Sequence, residues 1–308
     1  MKIGSLQIGS RGSPLALVQS RLVAAMLGLG ENAIQTFMTS GDVIQGRLQE
    51  AGGKGLFTKE LDEALLDGRI DCAVHSMKDL PTRLPPGIVL AAVPSREDPR
   101  DGFIALKAKT LSDLPQGATI GTASLRRQAQ TLHLRPDLKV ELLRGRVETR
   151  LAKIESGAFD ATYLALAGLK RLGLEAHAAG IVDIDIMPPA PAQGALAITA
   201  RAGDTATLAA LRKLDIADFN IATAAERAFL AALDGSCRTP IAALARIDSG
   251  RLNFLGEVLT PDGKHRWRRN GDAAATMTEA MALGAKLGTD IRAEAGPLYS
   301  AHFGDQGW

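Results

Sequence analysis

Strand-like and helix-like patterns alternate along the first two-thirds of this 308-residue chain, and two proline-rich crossings interrupt them. Such alternation specifies a largely parallel sheet flanked by helices. Leu6-Gln7-Ile8-Gly9 reads as a strand. Ser13 then reads as an N-cap, with Pro14 at the first helical position of a helix over Leu15–Leu27. Strands at Ala33–Met38, Asp71–His75 and Val89–Val93, with a helix from Thr58 to Leu66, complete a first α/β unit. The stretch Pro94-Ser95-Arg96-Glu97-Asp98-Pro99-Arg100-Asp101 is polar and broken by prolines, so it reads as a linker. A second unit follows, with strands at Thr119–Thr122, Lys139–Leu143 and Ala161–Leu166, a helix capped by Ser124, and a helix at Val147–Glu155. The chain crosses again at Met187-Pro188-Pro189-Ala190-Pro191, then shows a strand at Ala195–Thr199 and a helix at Thr205–Leu214.

Two separated linkers imply a chain that crosses to a second domain and returns. That is the layout of a two-lobed clamp with its ligand in the cleft. From about residue 217 the pattern changes. A helix at Phe219–Leu233, strands at Ile241–Arg246, Leu252–Leu259 and His265–Arg269, and a long helix over 275–293 read as a small α+β domain.

Composition narrows the function classes. Hydrophobic residues at 46% and charged residues at 23% are ordinary for a soluble globular chain. Aromatics at 4% give no wall of stacking rings, and a net charge of +2 gives no general case for nucleic-acid binding. The start Met1-Lys2-Ile3-Gly4-Ser5 lacks the apolar run of a signal peptide, and no stretch approaches membrane length, so a cytoplasmic protein off the membrane is expected. Cys72 and Cys237 lie far apart, and the histidines form no pair at ligand spacing, so no metal is expected. The charge is unevenly spread, however. Residues 124–153 carry Arg126, Arg127, Arg135, Lys139, Arg144, Arg146, Arg150 and Lys153 against only Asp137, Glu141 and Glu148. That local excess points to an anionic ligand.

The motif His75-Ser76-Met77-Lys78-Asp79-Leu80-Pro81 follows the apolar run Ile70-Asp71-Cys72-Ala73-Val74. The run reads as a buried strand that Pro81 cannot continue. A polar cluster is thereby delivered to the carboxyl end of a strand, where open α/β sheets place their ligands. In extended backbone Lys78 and Asp79 point to opposite sides, which frees Asp79 to face a cleft. Arginines recur at three strand-to-helix turns: Arg11-Gly12-Ser13, Ser124-Leu125-Arg126-Arg127 and Arg144-Gly145-Arg146. Guanidinium forks beside helix N-termini suit a polyanion, although solvated helix starts share the pattern. Arg150 and Arg171 signal less, since helical arginines are mostly surface charges. Gly52-Gly53-Lys54-Gly55-Leu56-Phe57 fails the phosphate-loop pattern, with Leu48 at the first glycine position, and reads as a lid or a plain loop. Cys237, in Asp234-Gly235-Ser236-Cys237-Arg238, has small neighbours that expose the sulfur and an arginine that favours the thiolate; it is either functional or incidental. Cys72 reads as an inert core residue.

In their order along the chain, Ser10–Leu17, Gly52–Phe57 with Lys59-Glu60-Leu61, His75–Pro81, Arg96–Asp101, Gly121–Arg127, Leu143-Arg144-Gly145, Ala167–Gly173, Gln193-Gly194-Ala195 and Gly235-Ser236-Cys237 resemble the porphobilinogen deaminase (hydroxymethylbilane synthase) family of tetrapyrrole biosynthesis. The resemblance covers nearly the whole chain. The fold expected is α/β, with two periplasmic-binding-protein-like α/β domains forming a cleft and a C-terminal α+β domain. Residues 1–94 and 195–214 make the first domain, 100–188 the second and 217–308 the third, with 95–99 and 189–194 as hinge segments.

The resemblance implies a transferase that condenses four porphobilinogen molecules, with release of ammonia, onto a dipyrromethane cofactor held by Cys237 through a thioether. Hydrolysis then gives hydroxymethylbilane. Asp79 is the implied catalytic residue, bonding pyrrole N–H groups and stabilising the cation formed as ammonia leaves. Cofactor contacts are implied for Lys78, Ser124, Arg126, Arg127, Arg144 and Gln193. Substrate contacts are implied for Arg11, Ser13, Lys54, Phe57, Arg144, Arg150 and Arg171. A monomer is expected. There are departures: Ser40 stands where many members carry arginine, Arg146 and Glu148 replace smaller or neutral residues, Arg238-Thr239 varies within the family, and Ala192 replaces a frequent glycine, which would stiffen a hinge. The competing reading is a two-lobed small-anion-binding protein without catalysis, which gives Cys237 no role.

Overall fold

The computed structural model describes residues 6–43, 55–233 and 239–303. The chain divides into two compact units, Met1–Glu97 with Gln193–Asn220, and Asp98–Ala192 with Ile221–Trp308.

In the first unit, strands β1 (Ile8–Arg11), β2 (Ile34–Phe37), β3 (Cys72–Ser76), β4 (Ile88–Ala92) and β10 (Leu196–Arg201) form one sheet in the order β2-β1-β3-β10-β4. β1 runs parallel to β2 and β3, while β10 is antiparallel to β3 and β4. Helix α1 (Pro14–Met26) starts as expected: Pro14 is its first residue and the Ser13 hydroxyl accepts the Ala16 N–H at 3.3 Å. The sheet is covered on both faces. Cys72 and Val74 of β3 join Ile8, Val23 and Ile198 in one core, while Ala73 joins Leu61, Leu65 and Ile70 in the other. Burial on both faces is why this strand reads as an unbroken apolar run.

The second unit repeats the plan with β5 (Asp101–Ala105), β6 (Thr119–Gly121), β7 (Lys139–Glu141), β8 (Ala161–Ala165) and β9 (Gly180–Ile181) in the order β7-β6-β8-β5-β9. β6 is parallel to β7 and β8, and β5 is antiparallel to β8 and β9. β5 corrects the linker reading. Asp101, taken as the end of a polar linker, is the first residue of a buried strand and is 1% exposed. A polar sequence hid it because its charge is neutralised by arginines distant in sequence. Helix α6 (Leu166–Leu172) and β9 were also not foreseen; α6 follows β8 without a break and ends at Gly173, whose φ of +67° suits glycine.

The third sheet and its helices form the α+β element expected at the C-terminus, within the same compact unit as the second sheet. β11 (Ile241–Asp248), β12 (Arg251–Leu259) and β13 (Arg266–Ala274) pair antiparallel. One face packs on α8 (Ala217–Ala232) and α9 (Met277–Phe303) through Ala243, Ala245, Phe254, Val258, Phe229 and Leu287. α9 reaches beyond the expected end, to Phe303, as two helical pieces: Gly296, at φ +49°, kinks the chain and Pro297 starts the second piece.

Ala192 also differs from a merely stiffened hinge residue. Its φ is +60°, a conformation glycine reaches freely and alanine does not. The buried Glu226 on α8 holds it there, one carboxylate oxygen accepting the Ala192 N–H at 2.5 Å and the other the Ala245 N–H at 2.6 Å.

Candidate active site

In the first unit β1 and β3 are parallel neighbours, so their carboxyl ends lie side by side. After β3 the chain does not stay extended, as the sequence suggested; Met77–Asp79 form a single 3-10 turn. Asp79 thereby comes within 3.9 Å of the Arg11 guanidinium at the end of β1, with its side chain 33% exposed. The Arg11 guanidinium also lies over the Phe57 ring, 4.3 Å from its centre. Lys78 turns the other way and donates to Gln193 Oε1 at 3.2 Å, while the Gln193 carbonyl accepts from Arg96 Nε at 3.3 Å. Gln193 is buried. The sequence therefore placed Asp79, Arg11, Phe57, Lys78 and Gln193 among the site residues, and the structure gathers them into two contacting groups. Ser13 serves as the α1 cap, and Lys54 lies outside the described residues.

Directly behind the turn sits His75, buried, its Nε2 3.0 Å from the Thr199 hydroxyl. Burial, aided by the Arg11 charge, pushes its pKa down to about 3, so the ring is neutral.

In the second unit the arginines converge on Asp101. Helix α4 (Leu125–Leu134) begins with the Ser124 hydroxyl accepting the Arg127 N–H at 3.4 Å. Arg126 donates from Nη2 to Asp101 Oδ2 at 2.8 Å, and Arg127 from Nη2 to Oδ1 at 2.7 Å. Arg127 also donates to the Tyr163 carbonyl at 2.8 Å, and Arg126 to Gln130 Oε1 at 2.9 Å and the Pro188 carbonyl at 3.0 Å. Burial alone would raise the Asp101 pKa, but the Arg126 and Arg127 charges outweigh it and hold the carboxyl far below its ordinary range. These are not solvated helix-start charges, since both guanidinium groups are buried.

Two cations share one carboxylate, so this buried triad carries a net positive charge. Arg126 Nε is buried with no hydrogen-bond partner. Arg150, on α5 (Val147–Glu155), donates to the Gly145 carbonyl at 2.9 Å; burial, with the nearby Arg127 and Arg144 charges, pushes its pKa down to about 10. Crowding of like charges is a cost to the fold that a bound anion would relieve. Arg144 is half-buried at the turn before α5, and Arg171 half-buried on the last turn of α6. Cys237 lies outside the described residues. Asp101 and Gln130 were missed by sequence reasoning. The available signal was the apolar run Gly102-Phe103-Ile104-Ala105 directly after Asp101, which marks a buried strand start.

A partly exposed carboxylate beside an arginine in one unit, and a buried arginine cluster in the other, mark this α/β protein as one with charged, anion-suited sites. Residues 6–209 match the family model for the porphobilinogen deaminase dipyrromethane cofactor binding domain, and residues 221–293 match that for the porphobilinogen deaminase C-terminal domain. The chain is 54% identical to the porphobilinogen deaminase of Caulobacter sp. (strain K31) over 308 residues, covering 95% of this chain and 96% of that protein. It is 53% identical to that of Caulobacter vibrioides (strain NA1000 / CB15N) over 312 residues, covering 94% and 96%. Among solved structures it is similar to the methionine-binding protein MetQ, with a TM-score of 0.43 at 12% identity over 69% of this chain and 90% of that one. The chain belongs to the porphobilinogen deaminase family.

Proposed function

We propose that the chain condenses four porphobilinogen molecules, releasing ammonia, onto a dipyrromethane cofactor, and then releases hydroxymethylbilane by hydrolysis, as a transferase of tetrapyrrole and haem biosynthesis. The observation that carries this reading is the buried triad of Arg126, Arg127 and Asp101, with its orphaned Arg126 Nε, in a chain of this family. Carboxylate side chains on each pyrrole ring supply the anion that this triad lacks, so the residues present fit the cofactor. When bound to Cys237, the dipyrromethane supplies a pyrrole α-carbon as the nucleophile.

The chain's own residues then divide the work. Arg126, Arg127, Arg144 and Ser124, with Lys78 and Gln193, hold cofactor carboxylates. Arg11, Ser13, Lys54, Phe57, Arg150 and Arg171, together with Arg144, receive the incoming substrate. Asp79 accepts a hydrogen bond from the substrate pyrrole N–H. As the aminomethyl C–N bond breaks and its electron pair leaves with ammonia, the ionised Asp79 stabilises the cation that remains. Arg11, 3.9 Å away, holds that carboxylate in place. In this reading residues 1–94 with 195–214, 100–188 and 217–308 act as three domains of a cytoplasmic monomer that needs no metal. Among the described residues, no helix is long and apolar enough to cross a membrane.

The intact mass of the purified protein, after incubation with porphobilinogen, tests the reading beside Cys237→Ala. A two-pyrrole adduct on the wild type and none on Cys237→Ala is the expected result. A wild type that gains no pyrrole mass would sink the catalytic reading and leave an anion-binding protein.

A further inference from the structure

The buried polar network does not end at Arg126. Gln130, one helical turn on, is 2% exposed and donates from Nε2 to Glu257 Oε1 at 2.9 Å and to the Pro188 carbonyl at 3.0 Å. Glu257 lies on β12, in the C-terminal sheet, and is 1% exposed. Its other oxygen accepts from Arg266 Nε at 2.7 Å and Arg268 Nε at 2.9 Å. Residues 127 apart in sequence thus share a hydrogen bond in the interior.

The chemistry of these partners fixes the geometry. A carboxylate and a carbonyl can only accept, and a guanidinium can only donate. Gln130 must therefore turn its NH₂ toward Glu257 and Pro188 and its oxygen toward Arg126. A flipped amide would set donor against donor at Arg126 and acceptor against acceptor at Glu257. With Nη1 held by Gln130 and the Pro188 carbonyl, and Nη2 by Asp101, the planar guanidinium has one orientation. Its orphaned Nε is then aimed without freedom to search.

We propose that Glu257 is a positioning residue for Arg126, acting through Gln130, so that the C-terminal sheet aims the guanidinium nitrogen that receives a cofactor carboxylate. This rests on the reading of Arg126 as a cofactor contact. Neither Glu257 nor Gln130 touches the cofactor in this account; their effect is on how well the arginine is preorganised.

The test follows cofactor loading rather than turnover. Full-length apoproteins are incubated with porphobilinogen, the mass gain is followed over time, and the thermal midpoint of each is recorded. Glu257→Gln keeps the shape but loses the charge that holds the Gln130 NH₂, leaving that amide less firmly fixed against Arg126. It should slow loading on the order of tenfold, as small misplacements of a site group do, with a thermal midpoint near that of the wild type. Glu257→Asp, which keeps the charge, should recover part of the rate. Added to Arg126→Lys, Glu257→Gln should slow loading no further, because it acts through that arginine. Loading at the wild-type rate by folded Glu257→Gln, or a full further loss on top of Arg126→Lys, overturns the proposal. Should Glu257→Gln fail to fold, Gln130→Met carries the same expectations and leaves Glu257 with Arg266 and Arg268. If Arg126→Lys itself loads like the wild type, the cofactor role of Arg126 falls and the proposal with it.

Discussion

Arg127 grips Asp101 through both carboxylate oxygens, donating from Nη2 to Oδ1 at 2.7 Å and from Nε to Oδ2 at 3.2 Å. Arg126 bonds the same carboxylate, and all three groups are buried. Asp101→Asn would leave two interior cations without their counter-charge. Breaking a buried pair in this way typically costs about 3–5 kcal/mol, to be read from urea unfolding. The folded carboxyl titrates far below its unfolded value, near 3.9 in ordinary peptides. Its stabilisation is therefore full above that range and is lost as pH falls through and below it, and Asp101→Asn should remove this acid dependence.

Asp79 is one-third exposed and meets Arg11 at 3.9 Å, so its loss should leave the fold intact. Asp79→Asn keeps the size and removes the charge, and should lower the rate of ammonia release by about 10²–10³. Asp79→Glu should retain more activity. Single-turnover ammonia release beside a thermal midpoint separates chemistry from folding; an active Asp79→Asn would exclude the electrostatic role.

His75 is buried neutral, with its pKa pushed down to about 3 by burial and the Arg11 charge. The unfolded chain binds this proton near 6.5, so the unfolded state gains protons first as pH falls. Stability should decline between pH 6.5 and about 3, by at most roughly 1.4 kcal/mol per pH unit from this group. His75→Gln can still bond the Thr199 hydroxyl and should flatten that slope in urea midpoints taken at pH 7 and pH 5.

Arg150 has its pKa pushed down to about 10 by burial and by the like charges of Arg127 and Arg144. Its cation is thus less favourable in the folded chain than in the unfolded one at neutral pH. Arg150→Gln should leave the empty protein as stable as the wild type or slightly more so, while raising KM for porphobilinogen about tenfold through a lost charged hydrogen bond. A fall in thermal midpoint with unchanged KM would show a structural role instead.

Local chemistry made parts of this molecule legible from the chain alone. Ser13 with Pro14, and Ser124 before Leu125, start the helices they were expected to start, and the helix Val147–Glu155 appears over the residues that its pattern marks. Caps and periodicity act across a few residues, so the sequence carries them directly. The motif around Asp79 also marked a strand end. Its backbone did not follow from that, because the 3-10 turn is pinned by long-range bonds, such as the Met77 N–H to the Ala195 carbonyl.

What only the tertiary structure decided is where charge is buried. Asp101 looked like linker because nothing near it in sequence neutralises it; Arg126 and Arg127 do so from 25 and 26 residues away. Ala192 looked like a stiffer hinge residue, yet a glutamate 34 residues on holds it in a left-handed conformation. Glu257 carried no signal at all, since its partner Gln130 lies on a helix far back in the chain. A buried ion is tolerated only when its partners arrive with it. The chain's local pattern therefore set the elements and marked many of the site residues, while long-range charge pairing set how those residues are held.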